Sequence, residues 1–144
     1  MIIKNILFFL IILLGILGGF IASMLALEEL KDGRKYFVWL KRTLFFLILL
    51  CAISLLAING FLIRSIVYLI LGGTLFYFSI AKWPKKKGKV ELLTYLFFLI
   101  LLLCFAFIQI NEGQTLILVS LMLLYGIPTG TLLHLKYIDE EILK

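Results

Sequence analysis

The sequence predicts an all-α membrane protein, a bundle of five transmembrane helices with the N-terminus outside and the C-terminus cytoplasmic. Three observations predict it: the composition, the spacing of the apolar runs, and the distribution of lysine and arginine between loops. The 144 residues are 64% hydrophobic and 15% charged, whereas a soluble domain carries roughly 45–50% apolar and about 25% charged residues. This composition predicts one domain, residues 1–144, with lipid as its solvent and the cell membrane as its location.

The apolar runs are long enough to cross a bilayer as helices. A helix rises about 1.5 Å per residue, so about 20 apolar residues cross a hydrocarbon layer about 30 Å thick. The first run carries no charge and is longer than the apolar region of a signal peptide, which is about 7–15 residues, so we expect it to remain as a span. The five predicted spans are residues 6–27, 43–58, 62–81, 91–110 and 115–135.

The second and third spans are predicted to form a helical hairpin. Together they occupy the 40 residues from Thr43 to Lys82. One continuous helix of that length would measure about 60 Å, twice the thickness of the hydrocarbon. Asn59 and Gly60 form a turn-prone dipeptide near the middle of the run. We therefore expect the chain to reverse there.

Lysine and arginine concentrate in every second connection. The two connections predicted to be cytoplasmic hold ten basic residues, whereas the opposite side holds Lys4 and Arg64. Cytoplasmic loops carry this excess in membrane proteins, which sets the predicted orientation. The net charge of +6 is thereby explained without nucleic acid, and no nucleic-acid partner is expected. The ten residues are Lys31, Arg34, Lys35, Lys41, Arg42, Lys82, Lys85, Lys86, Lys87 and Lys89.

The polar residues favour a protein without enzymatic chemistry. No Asp, Glu or Lys falls in the middle of a predicted span, although proton-coupled transporters and intramembrane aspartyl proteases need ionisable groups at depth. His134 is the only histidine, and Ser120 precedes it by 14 residues on the same predicted helix, about 21 Å along the axis. A serine–histidine pair between these two is excluded. With Cys51 and Cys104 inside apolar runs and no CxxC, neither a metal nor a cofactor is expected.

Three charged or titratable residues remain as candidate functional residues. Arg64 is expected to lie at the outer end of the third span and to extend to the headgroups. Alternatives for it are an ion pair with Glu112, on the same predicted side, or an anion site. His134 is expected at the cytoplasmic end of the fifth span as an interfacial histidine near a helix C-terminus. Its alternative role is as a ligand or proton carrier.

Small residues predict faces where helices approach closely. Gly15 and Gly19 in the first span and Gly126 and Gly130 in the fifth both fit the GxxxG spacing. In the third span Gly72 shares a face with Ser65 and Ser79. The fourth span, rich in Leu, Phe and Ile, is expected to face lipid. The small face of the first span comprises Gly15, Gly18, Gly19, Ala22 and Ala26.

The segment from Tyr125 to Thr131 is the best candidate for a site in the sequence. Pro128 has no backbone N–H, so the carbonyl of Leu124 loses its helical partner. Transporters use such broken helices to expose backbone groups to substrate. We therefore expect the fifth span to break near Pro128.

Two functions are compatible with these features. The first is a non-enzymatic membrane subunit or helix-packing interaction protein, whose partners are the lipid bilayer and another membrane protein. The second is a small permease or exporter acting as a homo-oligomer, with Pro128 near the path. An enzyme, such as one that modifies lipid at the cytoplasmic interface, is third. Anionic-lipid binding by Lys85 to Lys89 is a further possibility that membrane topology alone already explains.

Overall fold

The computed structural model describes the backbone of residues 2–80, 87–108 and 111–142 and the side chains of 6–26, 33–78, 92–105 and 111–135. All secondary structure in these ranges is helical. The predicted all-α class is therefore confirmed. The helices are α1 (Ile2–Leu25), α2 (Leu27–Ile58), α3 (Leu62–Ile80), α4 (Lys87–Ile108) and α5 (Glu112–Ile142).

The polar stretch after the first span is helical, which corrects the predicted loop. The chain bends at Ala26, and α2 then runs without interruption through 32 residues, about 48 Å. Glu, Leu, Lys and Arg, which dominate residues 28–42, are strong helix formers. The predicted second span, 43–58, is thus only the second half of a longer helix. Lys41 and its neighbours consequently have fixed directions relative to the bundle.

The predicted hairpin turn between α2 and α3 is present and has a defined geometry. Gly60 has φ of +83°, in the left-handed region that favours glycine. The Gly60 N–H donates to the carbonyl of Ala57 at 3.0 Å, and the Phe61 N–H donates to that of Leu56 at 2.9 Å. This pair of bonds is a Schellman motif, which satisfies carbonyl groups at the end of a helix.

The helix α5 continues through Pro128, so the predicted break in the fifth span is wrong. Its 31 residues, Glu112–Ile142, form one helix that contains the proline. Pro128 is buried, and α5 packs along both α1 and α2. Packing on two sides keeps the segment helical despite the missing N–H, as neighbouring helices do for proline in other bundles.

The helix α4 contributes to the core, contrary to the expectation that it faces lipid. It contacts α1, α3 and α5, and one side of it is buried. Composition failed as a guide because lipid-facing and core-facing residues are equally apolar in a membrane bundle. The buried residues of α4 are Thr94, Phe97, Phe98, Leu101, Leu102 and Phe105.

Three helical stretches are long and apolar enough to cross a membrane by length and composition. They are Ile6–Leu25, Gly33–Ile58 and Glu112–Leu135. Within the described residues, the apolar parts of α3 and α4 are shorter, Leu62–Phe78 and Leu92–Phe105. The structure therefore supports a membrane protein.

Candidate functional site

Helices α1 and α5 approach each other closely through glycine. A Cβ atom added to Gly15 would collide with the carbonyl oxygen of Leu123, and one added to Gly19 would collide with that of Ile127. The contacts advance in the same order along both helices, so α1 and α5 are parallel. Backbone atoms approach here to distances that no side chain allows.

The glycines of α5 form the other half of this contact. A Cβ on Gly126 would lie 2.8 Å from the carbonyl carbon of Gly15, and one on Gly130 would collide with the carbonyl oxygen of Ile16. The two GxxxG motifs that the sequence places in different spans thus face each other. Gly18, predicted to share the α1 face, has no atom within 4 Å of a built Cβ and is exposed.

The glycine contact ends in a buried hydrogen bond between Ser23 and His134. The Ser23 Oγ and the His134 Nδ1 are 2.6 Å apart, and both side chains are buried. The imidazole also packs edge-on against the ring of Phe20, with centroids 4.5 Å apart. The histidine expected at the membrane interface is therefore held between α1 and α5.

The Ser23 hydroxyl has two hydrogen-bond partners. Ser23 Oγ donates to the carbonyl of Phe20 at 2.8 Å, and a hydroxyl has only one proton to donate. In the bond between the Ser23 Oγ and the His134 Nδ1, the tautomer of the imidazole decides which atom donates. A catalytic serine donates its hydroxyl proton to an imidazole, whereas here the carbonyl of Phe20 competes for that proton. Ser23 is also fully buried, so a substrate does not reach its Oγ in this arrangement.

The sequence contains a signal for the Ser23–His134 pair, although we considered only Ser120, on the same helix, as a partner of His134. Ser23 follows Gly19 by four residues, and His134 follows Gly130 by four. Residues four apart lie on the same helix face. Each residue therefore extends the face of its GxxxG motif, so pairing the motifs brings the serine to the histidine.

A second polar contact between α1 and α5 involves Thr131. Its Oγ1 lies 3.1 Å from the carbonyl oxygen of Gly19 and 3.0 Å from that of Ile127. One acceptor belongs to α1 and the other to its own helix. Thr129, also buried, donates to the carbonyl of Tyr125 at 2.9 Å. The hydroxyls beside Pro128 thus bind backbone carbonyls inside the bundle.

On its other side, α5 contacts a buried cation, Lys41. The Lys41 Nζ lies 5.6 Å from the centroid of the Tyr125 ring, a cation–π distance, and the side chain is only 8% exposed. Phe45 and Phe98 also contact this ring, Phe45 in a tilted and Phe98 in an edge-to-face arrangement, with centroids 5.9 and 5.3 Å from it. We predicted that Lys41 lies in a loop between spans. The structure instead buries its charged side chain inside the bundle.

Arg64 and Glu112, which the sequence predicts on the outer side, are both exposed. The Arg64 guanidinium lies 5.1 Å from the centroid of the Phe61 ring and is exposed. Glu112 begins α5, where a negative charge favours the helix dipole. A hydrogen bond joins the C-terminal end of α2 to the N-terminal end of α5: Asn59 Nδ2 donates to Gln114 Oε1 at 3.3 Å. An Arg64–Glu112 pair stays a prediction.

Gly72 packs against a side chain instead of a backbone. A Cβ there would lie 2.7 Å from the Leu49 Cδ1, so α3 meets α2 at this point. Ser65, on the same face, donates to the carbonyl of Ile53 at 3.1 Å. The third residue predicted for this face, Ser79, lies outside the described side chains.

Within the described part of the chain, no group of three or more His, Cys, Asp or Glu side chains is placed to hold a metal ion. Comparison with known proteins finds no matching family model, no matching curated protein and no matching solved structure.

Proposed function

We propose that this chain is a five-span membrane protein that acts as a non-enzymatic membrane subunit or helix-packing interaction protein. One observation carries the proposal: the buried polar groups of α5 bind other helices of the bundle. His134 binds α1 through Ser23, Thr131 binds it through the Gly19 carbonyl, and Tyr125 contacts Lys41 of α2. These polar groups therefore stabilise the packing of helices within this chain.

The relative directions of the helices support five spans with the N-terminus outside. α1 and α5 run parallel, as the first and last of an odd number of spans must. α2 runs antiparallel to α5, because Lys41 lies beside Tyr125 whereas Asn59 lies beside Gln114. The ten basic residues then belong to one side, the cytoplasmic one. We propose a cell-membrane location on this basis.

The outward faces of α1 and α3 are where lipid or a partner would bind. Both faces consist of large exposed apolar side chains, whose exposure to water would be unfavourable. Gly73 on α3 and Gly18 on α1 add small residues to these faces, with no atom within 4 Å of a built Cβ. The exposed residues of α3 are Leu62, Ile63, Ile66, Val67, Leu69, Ile70 and Leu71.

Photo-crosslinking in intact membranes tests the subunit role. A benzophenone amino acid replaces Ile66 on the exposed face of α3 or Leu17 on that of α1, and Leu102 in the core provides the control. We expect one discrete protein adduct of defined mass from Ile66 or Leu17 and none from Leu102. Lipid adducts alone at both exposed positions would contradict a stable partner. An adduct of twice the chain mass would favour the homo-oligomer.

Reporter fusions test the topology separately. Fusions after Gly60 and after Gly113 are expected to be external, whereas fusions within residues 85–89 and after Lys144 are expected to be cytoplasmic. A cytoplasmic signal at Gly60 would remove the hairpin from the membrane and contradict five spans.

The buried Lys41 favours one alternative, a small permease or exporter acting as a homo-oligomer. A cation among membrane helices is expensive and commonly marks a substrate or ion path. Lys41 lies against Tyr125, three residues before Pro128. Solute flux in proteoliposomes distinguishes this alternative from the subunit, which should conduct none.

A further inference from the structure

We propose that the outward face of α2 at Lys35, Trp39 and Arg42 selects anionic phospholipid in the cytoplasmic leaflet. This inference rests on the membrane topology proposed above. It assigns a lipid-binding role to α2, in a segment that the sequence predicts as a loop and the structure shows to be helical.

The three side chains share one helix face. Trp39 follows Lys35 by four residues and precedes Arg42 by three, the spacings that bring side chains together on a helix. All three are exposed, and the Trp39 side chain is 66% exposed. Two cations therefore flank an indole on the side of α2 that points away from the bundle.

Neighbouring residues establish that this face points outward. Lys41 is buried against Tyr125 of α5, and the next residue, Arg42, is exposed. Consecutive helical residues differ by about 100° in direction, so the inward position of Lys41 orients its neighbour. The two adjacent cations thus have different surroundings, with Lys41 inside the bundle and Arg42 at its surface.

In the proposed topology, the side chains of this face extend toward the headgroups of the cytoplasmic leaflet. Helical side chains lean toward the N-terminus, so Arg42 leans toward Trp39 and, in the proposed topology, toward the cytoplasm. The indole of tryptophan favours the interface, with its ring in the apolar boundary and its N–H near polar groups. Tyr36, 77% exposed, lies within one turn.

The occupant that complements this face is a lipid with net negative charge. A zwitterionic lipid offers a phosphate but also a cation, which Lys35 and Arg42 repel. An anionic lipid such as phosphatidylglycerol offers the phosphate without that repulsion. Each Lys or Arg near an anionic membrane surface favours binding to that surface by a factor of about five.

Quenching of Trp39 fluorescence by brominated lipids tests the proposal. The full chain with Trp83→Phe, which makes Trp39 its only tryptophan, is reconstituted with dibrominated phosphatidylglycerol or dibrominated phosphatidylcholine at equal mole fraction. We expect stronger quenching by phosphatidylglycerol. Lys35→Gln with Arg42→Gln should remove the difference, and Lys35→Arg with Arg42→Lys should retain it.

Arg64→Gln provides the matched control, because it removes an exposed cation on the other side of the proposed bundle and should leave Trp39 quenching unchanged. Equal quenching of the parent protein by the two lipids would overturn the selectivity while leaving the membrane topology intact. Loss of the preference in Arg64→Gln would overturn the assignment to this face. Absence of quenching by either lipid would contradict the proposed membrane position of α2 and overturn the inference with it.

Discussion

Ser23 and His134 are 111 residues apart in the chain, yet the Ser23 Oγ and the His134 Nδ1 are 2.6 Å apart between two parallel helices. The bond is buried and lies one helical turn beyond the last glycine of each GxxxG motif. Close backbone approach brings α1 and α5 together, and the polar pair at the end of that contact determines their register. A shift by one turn would separate the hydroxyl from the imidazole.

The contribution of this bond is predicted from a double-mutant cycle. Ser23→Ala leaves a buried imidazole nitrogen without its serine partner, which should lower the free energy of unfolding by about 1–3 kcal/mol. We expect Ser23→Ala and His134→Ala to be non-additive, with a coupling between about 0.6 kcal/mol, the average for hydrogen bonds between membrane helices, and about 1.7 kcal/mol, the largest such value. Thermal or denaturant unfolding in detergent measures it.

Ser120→Ala is the matched control for this cycle. Ser120 is exposed, and its hydroxyl donates to the carbonyl of Leu116 in its own helix at 2.9 Å. Its removal should change stability little and should be additive with His134→Ala. Additive effects of Ser23→Ala and His134→Ala would show that their contact does not stabilise the bundle.

The glycine contact predicts opposite effects of one methyl group at adjacent positions. In Gly19→Ala the new Cβ collides with the carbonyl of Ile127, whereas in Gly18→Ala it meets no atom within 4 Å. Alanine stabilises a helix by about 0.5–1 kcal/mol relative to glycine, and overpacking costs about 1–3 kcal/mol. Gly18→Ala should therefore raise the Tm and Gly19→Ala should lower it. Equal shifts in the same direction would contradict the α1–α5 interface.

The hairpin turn predicts that alanine destabilises the protein at Gly60 but stabilises it at Gly73. Gly60→Ala puts a side chain at φ of +83°, which should cost about 1–2 kcal/mol. Gly73→Ala in α3, where a Cβ meets no atom within 4 Å, should gain about 0.5–1 kcal/mol. Urea unfolding in detergent compares the two. A stabilising Gly60→Ala would mean that the chain does not reverse through this Schellman motif.

Replacing the buried Lys41 by methionine tests whether its charge is needed for transport without unfolding the protein. Lys41→Met keeps the length of the side chain and removes the charge from the bundle interior. Because methionine is similar in length and can keep the apolar contact with the Tyr125 ring, we expect the protein to stay inserted and folded, which the Tm measures. If the protein transports a solute, flux should fall in Lys41→Met and persist in the exposed Arg42→Met. Equal flux in both variants would remove Lys41 from the path.

The sequence by itself determined the helical class, the reversal at Asn59 and Gly60, and the positions where backbones can approach. These features follow from local causes: the length of apolar runs, the freedom of Gly60 at positive φ, and the small size of Gly15, Gly19, Gly126 and Gly130. Each of these features depends on residues close together in the chain, and long apolar runs favour helices because a backbone without water must satisfy its hydrogen bonds internally.

Only the tertiary structure decided which faces meet. Pairing of α1 with α5 made Ser23 the partner of His134, and the continuous α2 directed Lys41 inward and Arg42 outward. The tertiary structure also gave α4 a buried face, which includes Phe98 and Leu102. These two residues are as apolar as residues that face lipid. The physical reason is that lipid and a membrane-protein core are both apolar. Helix pairing therefore depends on shape and on a few buried hydrogen bonds between residues distant in the chain.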